Sequence, residues 1–250
     1  MKTITLTLIT ICALIAWTNV LADVLVAPGD VIPGNVEGTV LLLAGEHQTD
    51  ETVEITKSLT LTAEPGAVWI SNADPAIAVH ASDVTISNLV LKSVNPTATA
   101  IVSGSPVTLK QPSHRVTVIS NQIEAFASGV LHVYGDEFVA RDNKIIGLEV
   151  ALDPLLSDTV GILSTMGTGA IIEKNEITGF FDGIFFSGSH GRAQGNRIRR
   201  TNVAIYSCNW YLPVAGEPDL FPDLVPNNSG NYWNIHSNDR IPHTGNTIFK

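Results

Sequence analysis

Cysteine is almost absent from this chain. Of 250 residues only Cys12 and Cys208 carry a thiol, and Cys12 lies inside an apolar run, Ile4 to Trp17, that follows the lone charge of Lys2. That run has the length of a secretory leader and is short for a membrane span. Val20-Leu21-Ala22 places small and β-branched residues at a cleavage position, so residues 1–22 are expected to be a signal peptide removed before Asp23. The mature chain then keeps only Cys208, which excludes an intrachain disulfide and reads as a buried thiol. An exported protein, secreted or periplasmic, is expected. Basic residues are also scarce, 14 against 24 acidic, giving a net charge of −10. A nucleic-acid partner is therefore not expected, because counterion release needs a basic face. Later apolar runs are too short to cross a membrane, so no span is expected. Aromatics are 6% and charged residues 15%, while apolar residues reach 44%, too many for a disordered chain. Twenty glycines and 13 prolines favour many short elements joined by turns.

What is present is repetition. Five segments align on an asparagine: VTISNLVL (84–91), TVISNQIE (117–124), VARDNKII (139–146), IIEKNEIT (171–178) and RAQGNRIR (192–199). Two residues later come Val90, Ile123, Ile145, Ile177 and Ile198, an unbroken β-branched column of the kind a buried strand position gives when coils stack. Asparagines 88, 121, 143, 175 and 196 are spaced by 33, 22, 32 and 21 residues. The basic coil is thus about 22 residues, and two coils carry an extra loop of about ten. Asparagine tolerates a left-handed bend and can stack its amide on the next coil.

A second column runs through Ile77, Ile101, Val130, Ile162, Ile184 and Ile205, each preceded by a small residue: Ala76, Ala100, Gly129, Gly161, Gly183 and Ala204. Charges give an independent check on register. The position after the asparagine carries Lys144, Glu176 and Arg197 on successive coils, and two before it come Arg141 and Glu173. Neighbouring strands lie about 4.8 Å apart, so these signs alternate across each rung and stabilise the pairing.

The expected fold is all-β, a right-handed parallel β-helix of about seven coils with a basic repeat of about 22 residues. Residues 23–37 form an N-terminal cap, 38–208 the parallel β-helix, and 209–250, with five prolines and little periodicity, an irregular C-terminal wrap or cap. The repeat resembles the pectin-lyase-like superfamily. More narrowly, GTVLLLAGEHQTDETVEITKSLTLTAEPGA is similar to the first coil of the small-repeat family shared by carbohydrate-binding proteins, sugar hydrolases and NosD-like periplasmic proteins. The resemblance covers about residues 38–208. It implies a fold more than an activity, because one stack serves many chemistries.

No known family's catalytic set is evident. Gly188-Ser189-His190-Gly191-Arg192, with Arg197 and Arg199, is faintly similar to polygalacturonase motifs, but the His and Arg elements fall on one coil and the paired aspartates are missing. Whether the chain is an enzyme stays open; as one it would be a polysaccharide lyase or glycoside hydrolase. Counting outward from the isoleucine column gives Ala78, Val102, Leu131, Leu163, Phe185 and Tyr206, an apolar outer stripe that must be covered or used. Phe185 and Tyr206 suit stacking on sugar rings, with Asp182 and His80 expected nearby. Tyr134, His190 and Arg192 complete the carbohydrate-binding candidates together with His132, whose parity places it inward between Ser103 and Ser164, held by two hydroxyls. Loop 103–114 and loop 147–159 are expected to wall a groove around strand 129–135; the competing reading lays the apolar loop 147–159 across the stripe.

No metal site and no cofactor are expected, since His236, Asp239 and His243, and Glu46-His47 with Asp50-Glu51, are ligand-type residues in loops where such residues are common, and no CxxC or HExxH is present, although the acidic charge is compatible with weak Ca²⁺ binding. Two functions follow. One is an exported protein that binds, and in its stronger form processes, a polysaccharide or cell-envelope glycan on its outer sheet. The alternative is a non-catalytic structural, adhesive or NosD-like periplasmic accessory β-helix. Oligomerisation through the outer apolar column is compatible with both.

Overall fold

The computed structural model describes residues 23–104, 111–148, 159–187, 189–201, 203–208 and 247–249. The leader and nearly all of 209–250 lie outside them. Every described strand pairing is parallel, in three sheets of eight, seven and eight strands, and from Gly38–Leu42 to Val203–Cys208 the chain visits them in strict rotation. Sheet 1 runs from Val24–Val26 through Gly38–Leu42, Leu59–Ala63, Thr85–Ser87, Thr117–Ile119, Val139–Arg141 and Thr168–Glu173 to His190–Gln194. Sheet 2 begins with Gly45–Thr49 and contains Gln122–Ala125, Lys144–Gly147, Glu176–Thr178 and Arg197–Arg199 before ending on Thr247–Phe249. Sheet 3 stacks Val53–Ile55, Ile77–Val79, Thr99–Ser103, Ser128–His132, Val160–Thr165, Asp182–Ser187 and Val203–Cys208. Same-sheet parallel connections take the right-handed path. The chain is a right-handed parallel β-helix, and no helix among its described residues could cross a membrane.

The isoleucine column of sheet 3 is in register from Ile77 through Ile101, Val130, Ile162 and Ile184 to Ile205. The small residue before each one has a packing cause. A Cβ on Gly161 would stand 2.5 Å from Ile177 Cγ2 and 2.6 Å from the Gly183 carbonyl, and one on Gly183 would stand 2.7 Å from Ile198 Cγ2. The two columns seen in the sequence therefore interlock: the residue at the corner from sheet 2 to sheet 3 is small because the next coil's isoleucine occupies its space.

The asparagine column needs one correction. Asn121, Asn143, Asn175 and Asn196 form a buried ladder at the corner from sheet 1 to sheet 2. Each Nδ2 of the first three donates to the next Oδ1 at 2.9–3.0 Å and to a carbonyl of the preceding coil, and each of those backbone N–H groups also donates to the next Oδ1. Asn88 is not a rung. Gln122 pairs with Val90 and Ile123 with Leu91, so Leu89 takes the rung position and donates its N–H to Asn121 Oδ1. The core residue there is Leu91, fully buried, rather than Val90. The left-handed bend belongs to the residue before the rung: Asn88, Ser120, Asp142 and Lys174 have φ of 55–58°, and Gly195 has φ 67°. Asn88 shows the residue type of the rung because a left-handed position also accepts asparagine.

The charge pattern holds. Lys144 pairs in register with Glu176, and Glu176 with Arg197. Arg141 Nε lies 2.6 Å from Glu173 Oε1. Lys92 and Glu124 form a more isolated pair, 3.6 Å apart between register neighbours. Lys92→Glu is expected to cost no more than about 1 kcal/mol, and Lys92→Glu/Glu124→Lys to recover most of it. Urea midpoints of the two variants check this; a double variant no more stable than the single would contradict the register.

Candidate binding face on sheet 3 and its corner with sheet 1

The outward column of sheet 3 is in register as read: Ala78, Val102, Leu131, Leu163, Phe185 and Tyr206 are neighbours on successive strands, preceded by Glu54. Ala78 is buried and the other five are half-buried. The column ends in an aromatic pair, with Phe185 and Tyr206 rings 4.8 Å apart and tilted by 49°, close to the spacing of the strands that carry them. The two enlarged loops leave sheet 3 on opposite borders. One follows Thr99–Ser103 and the other precedes Val160–Thr165, and Ser128–His132 pairs with both strands. The middle of each loop, 105–110 and 149–158, lies outside the described residues, and so does the question of what 147–159 covers.

Where the chain turns from sheet 3 to sheet 1, a second ladder stands. The His114 N–H donates to Ser82 Oγ at 3.1 Å, the Asp136 N–H to His114 Nδ1 at 3.1 Å, and the Thr168 N–H to Asp136 Oδ1 at 2.9 Å. Each side chain accepts the backbone N–H of the coil after it, the reverse of the asparagines, which accept from the coil before. The next residue bends left-handed: Asp83, Arg115 and Glu137 have φ of 54–60° and Gly169 has φ 73°. Arg115 holds Asp83 through two bonds of 2.6 and 2.8 Å. That contact keeps the Asp83 carboxyl below its ordinary range and pushes the guanidinium up. At Asp136 burial works against the charge, but the Thr168 N–H and hydroxyl and the neighbouring imidazoles outweigh it, and its pKa is lowered. His114 Nδ1 also lies 3.3 Å from Asp136 Oδ2.

The sequence candidates divide between these places. Asp182 begins the strand that carries Phe185, so it shares that coil with the aromatic pair. His80 does not. The strand it follows, Ile77–Val79, is four places from that of Phe185 in the sheet order, roughly 19 Å along the axis, and the His80 Nε2 meets Glu54 Oε2 at 2.5 Å. Tyr134 lies half-buried in the ladder corner, where burial and then Asp136 raise its phenol pKa. The backbone of His190 continues that corner in register with Thr168, while its side chain lies outside the described residues, as does that of Cys208. Arg192 projects from sheet 1 and sits 3.7 Å from Glu173, away from the aromatic pair.

His132 is fully buried, as its parity required. One of its two expected hydroxyl partners is replaced by a carbonyl. Ser103 Oγ meets Nδ1 at 2.7 Å, but Nε2 meets the Gly135 carbonyl at 2.9 Å, while Ser164 Oγ bonds Ser189 Oγ instead. The chain turns after His132, and that brings the Gly135 carbonyl to the Nε2 edge of the ring. The ring stacks on Phe138 at 4.6 Å and 4°.

Sequence reading missed Ser82, His114, Asp136 and Thr168, together with the Asp83–Arg115 and Glu54–His80 pairs. A signal was available. The four ladder residues each stand seven places before Leu89, Asn121, Asn143 and Asn175, so they share the asparagines' spacing without sharing a residue type.

No protein-family model and no curated protein matches the sequence. Among solved structures, the chain is similar to the Dettilon tailspike protein (TM-score 0.42, 13% identity, covering 73% of this chain and 45% of that one). It is also similar to a pectin methylesterase solved in complex with a hexasaccharide (TM-score 0.37, 13% identity, 71% and 55%). The chain spans about half the length of each.

Proposed function

We propose that this chain is an exported β-helix that binds a polysaccharide lengthwise on sheet 3 and does not cleave it. The observation that carries the reading is the Phe185–Tyr206 pair, which ends an apolar column on an outer face where solvent-facing polar residues would be the ordinary choice. The CH face of a sugar ring suits such a platform. Along the same outer column, two to four coils before the aromatic pair, runs a corner that carries hydroxyl, imidazole and carboxylate groups on successive rungs. Binding is favoured over turnover because His114 Nδ1 and Asp136 Oδ1 both accept backbone N–H groups, which gives these side chains a part in holding the turn.

The test is retention of the purified protein on immobilised neutral, acidic and amino polysaccharides. Phe185→Ala and Tyr206→Ala are each expected to weaken binding about tenfold, or about 1.4 kcal/mol, with an unchanged melting temperature. No new reducing ends are expected on the glycan that is retained. Loss of neither affinity nor selectivity in the aromatic variants would refute the site, and release of reducing ends would replace binding by catalysis.

A further inference from the structure

The outer face of sheet 1 carries a pattern that glycan binding on sheet 3 does not use. Thr39 pairs in register with Thr60, Thr60 with Thr85, and Thr85 with Thr117. Val139 and Ile171 continue the column, which stays β-branched and uncharged over six rungs until Arg192, in a chain of net charge −10. Two residues further along each strand come Leu41, Thr62, Ser87 and Ile119, also uncharged, before the Arg141–Glu173 pair. The four threonines of the first column keep part of their surface in solvent, and among the described residues none of their hydroxyls has a protein partner. Threonines elsewhere differ: the hydroxyls of Thr49, Thr52, Thr97 and Thr168 all bond protein groups, and Thr62 Oγ1 accepts from Asn88 Nδ2 at 3.3 Å. Two residues before Thr85 and Thr117, the charges of Asp83 and Arg115 are bound to each other.

We infer that this threonine face binds the surface of ice. β-Branching leaves each threonine few rotamers, and the stacked strands fix the spacing of the column at about 4.8 Å, near the lattice repeat of ice along its a axis. A hydroxyl both donates and accepts, as water does. A stiff row of free hydroxyls and methyls therefore meets an ordered array of water with little side-chain ordering left to do on binding. Charge complementarity points the same way. A lattice of water is neutral and rejects ions, and the four threonine rungs present no charge on either column. A single sugar chain fits this face poorly, because no aromatic ring stands on it among the described residues, whereas Phe185 and Tyr206 supply one on sheet 3. This inference does not depend on glycan binding.

Nanolitre osmometry and partition into slowly grown ice test it on the full-length gene product, purified in the form the cell leaves. The parent is expected to shape single ice crystals into facets, to open a gap between melting and freezing, and to concentrate in the ice. Thr60→Lys/Thr117→Lys sets its charges two rungs apart, so they are not directly opposed, and is expected to lose all three effects at the parent's melting temperature. Thr85→Ser keeps the hydroxyl and removes only the methyl; it is expected to narrow the gap, and it decides the question if the lysine variant fails to fold. A parent that leaves crystals round and is excluded from ice at every concentration overturns the inference. So does a folded lysine variant with the parent's activity. A parent inactive on ice but retained on crystalline cellulose through the same threonines also overturns it and makes the ligand a solid glycan.

Discussion

Asn143→Leu is expected to destabilise the protein by about 3 kcal/mol or more, although leucine has the same four-atom branched side chain as asparagine and is more apolar. Asn143 is fully inside, and its side-chain amide makes four hydrogen bonds to three residues. It accepts the Asn121 N–H and the Asn121 Nδ2–H, and it donates to the Val118 carbonyl at 2.8 Å and to Asn175 Oδ1 at 2.9 Å. Replacing it strands two donors and one carbonyl that have no water to turn to, at about 1–3 kcal/mol for each buried group left unpaired. Asn121→Leu is expected to cost less. The backbone N–H at 121 keeps its bond to Asn143 Oδ1, and only the Leu89 N–H and the Ile86 carbonyl lose their partner. The native chain already carries a leucine at the preceding rung, which shows that the side chain fits and isolates the hydrogen bonds as the cause. Urea midpoints at constant slope measure the difference. Amide exchange should locate it, with the Asn121 N–H accelerated in Asn143→Leu while amides several coils away stay protected, because a stack couples mainly nearest neighbours. Equal costs for the two variants would mean that the ladder is not a chain of separate bonds.

The same ladder shows what the sequence made legible. A buried column of one residue type at regular spacing is visible without coordinates, and so are two columns that interlock, because the physics leaves few residues to choose from: an amide that both donates and accepts, a β-branched core residue, and nothing larger than alanine beside it. The slip at Asn88 marks the boundary of that legibility. Once a left-handed residue precedes each rung, either position admits asparagine, and only pairing decides between them. The corner ladder of Ser82, His114, Asp136 and Thr168 has a spacing signal but no residue-type signal, for the opposite reason. Its rule is one acceptor for one backbone N–H, and hydroxyl, imidazole and carboxylate all satisfy it. At the binding face, parity along each strand gave the outer column correctly, but it could not say which rung a side chain occupies relative to a loop insertion. His80 was therefore grouped with Phe185, from which four strand spacings separate it.

The second large effect is a loss of stability on mild acidification that is centred on His132. The Gly135 carbonyl can only accept, so Nε2 carries the proton and Nδ1 accepts from the Ser103 hydroxyl. A second proton would have to enter at Nδ1, against that hydroxyl and between packed rings, in a site closed to water. Burial accordingly pushes the imidazole pKa down from 6.5 to about 4. In the unfolded chain the same group takes its proton near its ordinary value. Between these two pKa values the unfolded state binds more protons than the native state, so stability rises with pH across the window. The contribution is complete above about pH 6.5, falls as pH drops towards 4, and stays flat below, for a total of about 3 kcal/mol. Asp83 and Asp136 do not account for this window, since both are held below the ordinary carboxylate range and lose their contribution at lower pH. Urea midpoints across the window, for the parent and for His132→Gln, separate the effect from every other titration. The parent should lose stability relative to the variant as pH falls from 6.5 to 4, even though the variant starts lower for want of the stack on Phe138. Parallel curves would place the acid sensitivity elsewhere and make His132 a charged native group, which neither its partners nor its burial would accommodate.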